Sequence, residues 1–120
     1  MHTLRFLRQK FPTLPASYFE LLSKLDGWEG FVGDNYVVLF GAADALVATD
    51  EYQLPVYRPD YFALGSNGGG ELIVCKLLGS EDRPAYRLPA IGMSDATPIE
   101  IAPTIEVFAQ AVLAAAAGDA

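Results

Sequence analysis

The chain contains one cysteine and one histidine among its 120 residues, and this scarcity excludes several kinds of site. A single cysteine, Cys75, cannot form a disulfide within the chain. The one histidine is His2, at a terminus, so no positioned imidazole is available for a Ser-His-Asp or Cys-His nucleophile. Most zinc sites need several Cys or His ligands, which are lacking too. We therefore predict a protein without a metal or a cofactor, and we expect Cys75 to be a small core residue.

Basic residues are also few. Eight Lys and Arg face fifteen Asp and Glu, which gives a formal net charge of −7. Binding to DNA or RNA depends on neutralising phosphates with Lys and Arg, so no nucleic-acid partner is expected. An acidic surface would instead steer the protein toward a basic partner.

Long apolar runs are absent from the sequence. No segment reaches the roughly 20 apolar residues of a membrane span. Arg5, Arg8 and Lys10 are not followed by the apolar stretch of a signal peptide. We expect a cytoplasmic protein without membrane contact. Its length fits a single domain, 1–120, and its hydrophobic content of 52% argues against disorder.

A glycine-rich segment, 65–71, lies between two apolar runs, 61–64 and 72–77. Because a β-branched run follows the glycines, and not a helix, their amides are expected to serve strand pairing and not phosphate binding. Glu71 also places a negative charge where a phosphate loop has a lysine. The pattern predicts a tight β turn in which Gly68, Gly69 and Gly70 adopt backbone conformations that side chains disfavour.

The remaining periodicities predict an α+β fold. Tyr18, Leu21, Leu22 and Leu25 form one apolar stripe of a helix. Glycines interrupt 28–34 and prolines interrupt 54–59, so both are predicted as turns or loops. The predicted helices cover 3–10, 15–25, 42–52 and 103–117, and the predicted strands cover 36–40, 61–64, 72–77, 85–88 and 99–101. Consecutive strands joined by short turns pair antiparallel, so we expect an antiparallel sheet with helices on one face or end.

Four residues are candidates for a partner-binding surface: Trp28, Glu29, Asp34 and Tyr57. Trp and Tyr are enriched at binding hot spots, although Trp28 could instead cap the core beside the helix at 15–25. Glu29 and Asp34 share one turn region, and two carboxylates facing each other in a cleft could hydrolyse a glycoside. With fifteen acids in the chain, the favoured interpretation is solvated surface charge and no catalytic residue.

Four segments in the same order resemble the SUKH superfamily, which includes the fungal Smi/Knr-type cell-wall regulators. The first runs from Leu14-Pro15 through an aromatic helix to Asp26-Gly27-Trp28, in place of the family's Asn-Gly-Gly turn, and the second is Leu39-Phe40 followed by a helix. The third reads Gly-Ser-Asn-Gly-Gly-Gly at 65–70, and the fourth is the entry into the last helix at 101–108.

The resemblance implies a SUKH-like (Smi/Knr-like) α+β domain without universal catalytic residues. In bacteria such domains are often immunity proteins that bind and neutralise a cognate toxin, frequently a nuclease. We therefore expect a non-catalytic protein-binding domain, and the expected protein partner is a basic toxin domain. The alternative is a regulatory or scaffold protein of the Smi/Knr type in cell-wall synthesis or signalling.

Overall fold

The computed structural model describes residues 2–118, so Met1, Asp119 and Ala120 lie outside the described part, as does the side chain of His2. Within it, five α-helices and six strands follow one another in the order α-α-β-β-α-α-β-β-β-β-α. The helices are α1 (His2–Lys10), α2 (Ala16–Lys24), α3 (Ala42–Glu51), α4 (Leu54–Tyr57) and α5 (Ile105–Ala116). The strands are β1 (Trp28–Val32), β2 (Asn35–Leu39), β3 (Tyr61–Ser66), β4 (Glu71–Lys76), β5 (Ala85–Pro89) and β6 (Ile99–Ala102), with a 3₁₀ turn at Met93–Asp95.

The six strands form one antiparallel sheet in sequence order, β1 to β6. This confirms the predicted fold class and the predicted pairing of β4 with β5. The helix α5 contacts both edge strands, β1 and β6, so the sheet curls around it. Among residues 2–118, no helix combines the length and the apolar character that crossing a bilayer requires.

The core consists of two clusters on opposite faces of the sheet. Phe62 and Cys75 face the larger cluster, which includes residues of α1, α2, α3 and α5. Their neighbours Ala63 and Val74 face the smaller cluster, which includes Leu54 of α4. Because β3 and β4 are buried on both faces, their sequences are continuous apolar runs and do not alternate. Cys75 is fully buried, as predicted.

The glycine-rich segment forms the predicted tight turn between β3 and β4. The side-chain oxygen of Asn67 accepts hydrogen bonds from the main-chain nitrogens of Gly69, at 2.8 Å, and Glu71, at 3.2 Å. Gly68 and Gly70 have φ values of 75° and 96°, which other residues rarely adopt. Gly69 has no positive φ, so the prediction is wrong for that residue.

The prediction of a turn over 28–34 is wrong for its first five residues, which form β1. The indole ring of Trp28 covers Gly30, so closely that a Cβ on Gly30 would lie 2.7 Å from Cζ2 of Trp28. The ring supplies the packing that glycine lacks, which explains why a strand persists here. The chain reverses only at Gly33, whose φ is 61°, and Asp34.

The prediction of a loop over 54–59 is also wrong, because α4 occupies 54–57. Pro55 falls in the first turn of this short helix, where its missing N–H removes no helical hydrogen bond. Gln53 has a left-handed backbone, φ 58°, and separates α4 from α3. The buried side chain of Leu54 attaches α4 to the smaller core cluster, an interaction that no local pattern reveals.

Candidate functional site

The concave face of the sheet carries an open groove of about 570 Å³ beyond the end of the main core. The β1–β2 turn forms one wall, β6 forms the opposite wall, and α5 lies above. Val37, Ile73 and Phe108 contribute both to this groove and to the core beside it. Since Ala111 ends at a methyl group, α5 leaves space at this point of the face.

Strand register brings a polar pair onto the floor of the groove. Arg87 of β5 lies opposite Ile73 of β4 and opposite Ile99 of β6. Oε1 of Glu71 lies 3.2 Å from Nε of Arg87 and accepts a hydrogen bond of 2.9 Å from Nδ2 of Asn67. Asn67 therefore fixes the Glu71 carboxylate, and that carboxylate balances the charge of Arg87.

The guanidinium of Arg87 keeps free hydrogen-bonding capacity. Its Nε is buried and lies near Glu71 without being aligned to donate a hydrogen bond. Its two terminal nitrogens are not buried, and neither bonds to another residue within 2–118. The groove thus has a charged floor with two open donors, which can bind an acceptor supplied from outside.

Two further carboxylates line the groove, Asp34 from the β1–β2 turn and Glu100 from β6. Both residues are exposed, and neither makes a hydrogen bond or an ion pair with any described residue. The charged residues of the lining are Asp34, Glu100 and Arg87, so its formal net charge is −1, and it is −2 when Glu71, the partner of Arg87, is included.

Apolar side chains are exposed around the same groove. Ile99, Ile101 and Val107 keep 50%, 39% and 44% of their surface accessible. Phe31 is also 63% exposed, but it lies on the outer side of β1 with Glu29, where its ring meets the ring of Tyr36 edge to face at 5.2 Å. Isolated apolar side chains are common on protein surfaces, whereas a group of them around one groove indicates an interaction site.

The structure separates the two acids that the sequence placed in one turn region. Asp34 lines the groove, but Glu29 does not. Glu29 lies on the exposed side of β1, and its carboxylate accepts a hydrogen bond from the hydroxyl of Tyr36. This hydrogen bond raises the pKa of Tyr36. The hydrolase alternative required both acids in one cleft, and this groove contains only Asp34 of the two.

The other two candidate residues lie away from the groove. Trp28 is half-buried and packs against the main core, which confirms its predicted structural role. Tyr57, at the end of α4, is 50% exposed and belongs to the helix that covers the opposite face of the sheet. The proposed partner contacts of Trp28, Glu29 and Tyr57 stay predictions.

Arg87, Ile99 and Glu100 also line the groove but were not predicted as site residues from the sequence. One signal was available for Arg87. The predicted strand over 85–88 alternates, so Arg87 shares a face with Ala85, which is buried in the main core. A charged residue on the core face of a strand is unusual. It indicates that the hydrophobic core ends there and that a binding site could begin.

A second cavity, of about 620 Å³, lies between α2 and α5. It contains Glu20, Glu81, Asp82 and Glu106. Several of these acids are already engaged: Glu20 pairs with Lys24 at 3.3 Å, Glu81 binds the start of α2, and Asp82 accepts a hydrogen bond from Ser80. The groove is therefore the better candidate, because its two rim carboxylates are free.

No group of three or more His, Cys, Asp or Glu within the described residues is placed to hold a metal ion. Cys75 is fully buried, and burial raises the pKa of its thiol to about 12, against an opposing effect of the Arg83 charge. Because the thiolate is the reactive form, this cysteine is inert at neutral pH.

Comparison with protein-family models and with curated proteins found no match to this chain. The resemblance to the SUKH superfamily therefore rests on the four sequence segments alone.

Proposed function

We propose that this chain is a non-catalytic protein-binding domain that neutralises a basic toxin domain by direct binding, as immunity proteins do. The observation that supports this most is the open groove with an apolar rim and two exposed carboxylates, Asp34 and Glu100, in a chain whose net charge is −7. Such a surface combines apolar area to be covered with a field that attracts cations.

This surface has the features of a site that binds a protein partner. Stable protein interfaces bury roughly 800 Å² on each partner, with apolar residues at the centre and polar residues around them. The groove and the exposed side chains around it have this arrangement. Nuclease toxins carry basic surfaces to hold nucleic acid, so an acidic surface would both accelerate encounter and cover the basic site.

The lining of the groove supports binding over catalysis. Its polar members are Asp34, Asn35, Tyr36, Asn67, Arg87 and Glu100, and it includes no histidine, cysteine, serine or lysine. Catalysis by a serine, cysteine or lysine nucleophile needs that residue beside a general base, and none of the three lines the groove within residues 2–118.

Co-expression tests the proposal. The full chain is produced in cells together with the toxin domain encoded beside its gene, and growth is compared with cells that produce the toxin alone. We expect restored growth, and a complex of the two proteins that survives gel filtration. Toxicity that persists at full expression of the chain would refute the proposal.

Two outcomes would favour the regulatory alternative. One is a gene neighbourhood without a toxin domain. The other is a complex that forms with the neighbouring gene's product but leaves its activity unchanged, since neutralisation requires the bound partner to be inactive.

A further inference from the structure

We infer that the groove binds an extended segment of the partner in which an apolar side chain is flanked by lysine or arginine, and that Asp34 and Glu100 select this segment. The inference rests on the proposed function, because it names the chemistry of the partner at that same site.

The centre of the groove suits an apolar side chain. Val37 and Ile73 from the sheet and Phe108 from α5 line it where the main core ends, and the small side chain of Ala111 leaves space beside them. The volume of about 570 Å³ lies in the range of sites that enclose a ligand, roughly 300–1,000 Å³. An aliphatic side chain placed there would extend the existing core.

The two rim carboxylates suit cations on either side of that apolar side chain. Asp34 and Glu100 come from opposite walls, and neither has a partner within the described residues. Exposed ion pairs add little affinity individually, but they discriminate strongly against partners of like charge. Charge complementarity thus favours a basic segment over an acidic one.

Arg87 suits the main chain of the same segment. Its two terminal nitrogens have no acceptor among residues 2–118, while Glu71 and Asn67 hold the group in place. A segment in extended conformation presents main-chain carbonyls that these nitrogens can donate to. A partner carboxylate could also bind Arg87, but the negative charges of Asp34, Glu100 and the neighbouring Glu71 oppose it.

Recognition through side chains is favoured over addition of a strand to β6. This edge strand has four residues, lies between Pro98 and Pro103, and pairs irregularly with β5 near Ala85 and Tyr86. Short, irregular edges next to prolines resist pairing with another chain.

Peptide binding to the ¹⁵N-labelled full chain tests the inference by NMR. The probe is the peptide acetyl-Gly-Lys-Leu-Lys-Gly-amide. Its two controls replace both lysines with glutamate or replace the leucine with serine. We expect saturable shifts of main-chain amides at 34–37, 87 and 99–102 with the first peptide at millimolar concentration, and much weaker shifts with the controls.

Three results would overturn the inference: no saturable shift with the Lys-Leu-Lys peptide, equal shifts with a control peptide, or shifts centred on the acidic cavity around Glu20 and Glu106. Preferential binding of the glutamate peptide would show that Arg87 recognises an acidic segment. This result would also contradict the inference.

A matched pair of variants tests whether the two groove carboxylates select the segment. Asp34→Asn with Glu100→Gln removes two charges from the groove, and Asp50→Asn with Glu51→Gln removes two from the exposed end of α3. We expect the groove variant to bind the peptide about fivefold to tenfold more weakly, as the loss of two exposed ion pairs predicts. The α3 variant should bind as the unmodified chain does.

The same two variants separate this inference from the proposed function. If the unmodified chain protects cells and both variants protect equally well, the groove is not the selective site although the function stands. If the unmodified chain does not protect, the function is refuted, and the peptide experiment still decides what the groove binds.

Discussion

Both carboxylate oxygens of Glu81 lie 2.9 Å from the main-chain nitrogen of Ala16, the first residue of α2. The preceding residue, Pro15, has no side-chain acceptor, so the helix cannot be capped locally. Glu81 supplies the missing acceptor from a loop 65 residues further along the chain. Its negative charge also lies at the positive end of the helix dipole.

We predict that Glu81→Ala lowers the free energy of unfolding by about 1 kcal/mol, the usual effect of losing an N-terminal helix cap. Urea unfolding followed by circular dichroism measures this change. Glu51→Ala, at an exposed position of α3, serves as the control and should change stability by less than about 0.5 kcal/mol. Equal effects of the two substitutions would show that the contact is not stabilising.

Arg83 is buried and holds the turn between β4 and β5 through three main-chain carbonyls. Its Nε, Nη1 and Nη2 donate to the carbonyls of Ser80, Lys76 and Gly79 at 2.8, 2.7 and 2.9 Å. We predict that Arg83→Lys destabilises the protein by about 2–4 kcal/mol, because an ammonium group cannot reproduce the planar fork. Arg5→Lys, on the exposed side of α1, is the matched control, and a similar loss there would contradict this explanation.

The hydroxyl of Tyr18 is buried in the main core and has no hydrogen-bond partner among the described residues. We predict that Tyr18→Phe stabilises the protein by about 1 kcal/mol, because it removes an unsatisfied polar group while keeping the ring. Tyr36→Phe removes a hydroxyl that is bonded to Glu29 and should not stabilise the protein. A loss of stability in Tyr18→Phe would indicate an undetected partner, such as a buried water.

Stability should decrease at alkaline pH. Burial raises the pKa of Cys75 from 9.0 to about 12 and raises that of Tyr18 further, so both groups stay protonated in the folded state. Above pH 9 the unfolded chain releases the Cys75 proton and the folded chain does not. The contribution of Cys75 to the free energy of unfolding is therefore fully present below pH 9 and falls by about 1.4 kcal/mol per pH unit as the pH rises toward 12, and Tyr18 adds a similar decrease above pH 10.

Urea unfolding from neutral pH to about pH 11 tests this dependence. Cys75→Ala should remove the share of the slope that begins near pH 9, and Tyr18→Phe should remove the share that begins near pH 10. An unchanged slope in Cys75→Ala would mean that the thiol is not the titrating group. The folded protein should also resist thiol reagents at pH 8, where unfolded chains react.

We expect Trp28 to stabilise the fold, and it is also a candidate residue of the predicted contact surface. We predict that Trp28→Ala lowers the free energy of unfolding by about 2 kcal/mol, less than for a fully buried tryptophan, because the ring is half-buried. Trp28→Phe keeps a ring over Gly30 and should retain most of the stability. If Trp28→Ala is as stable as the unmodified chain, the residue is free to act as a binding contact alone.

Local sequence patterns were sufficient to predict much of the fold. The apolar stripe of α2, the glycine turn between β3 and β4, and the short connections between successive strands predicted helices and antiparallel pairing that the structure confirms. These features depend on residues within one helical turn, one strand or one hairpin, and such contacts are encoded by spacing along the chain.

The candidate site could not be predicted in the same way. Asp34 was identified from the sequence, but its neighbours Arg87 and Glu100 come from strands far along the chain. They line the same groove as Asp34 because the sheet curls around α5, and this curvature depends on how all six strands pack, not on any one of them.

The amino-acid sequence by itself determined the acidic charge, the α+β order of elements and the inert core cysteine, because composition and short-range periodicity are properties of neighbouring residues. Only the tertiary structure decided that Trp28–Val32 is a strand, that Glu29 and Asp34 lie apart, and that Glu81 caps α2. The helix cap depends on a side chain 65 residues away, and the other two depend on how side chains pack around β1. Spacing along the chain encodes neither.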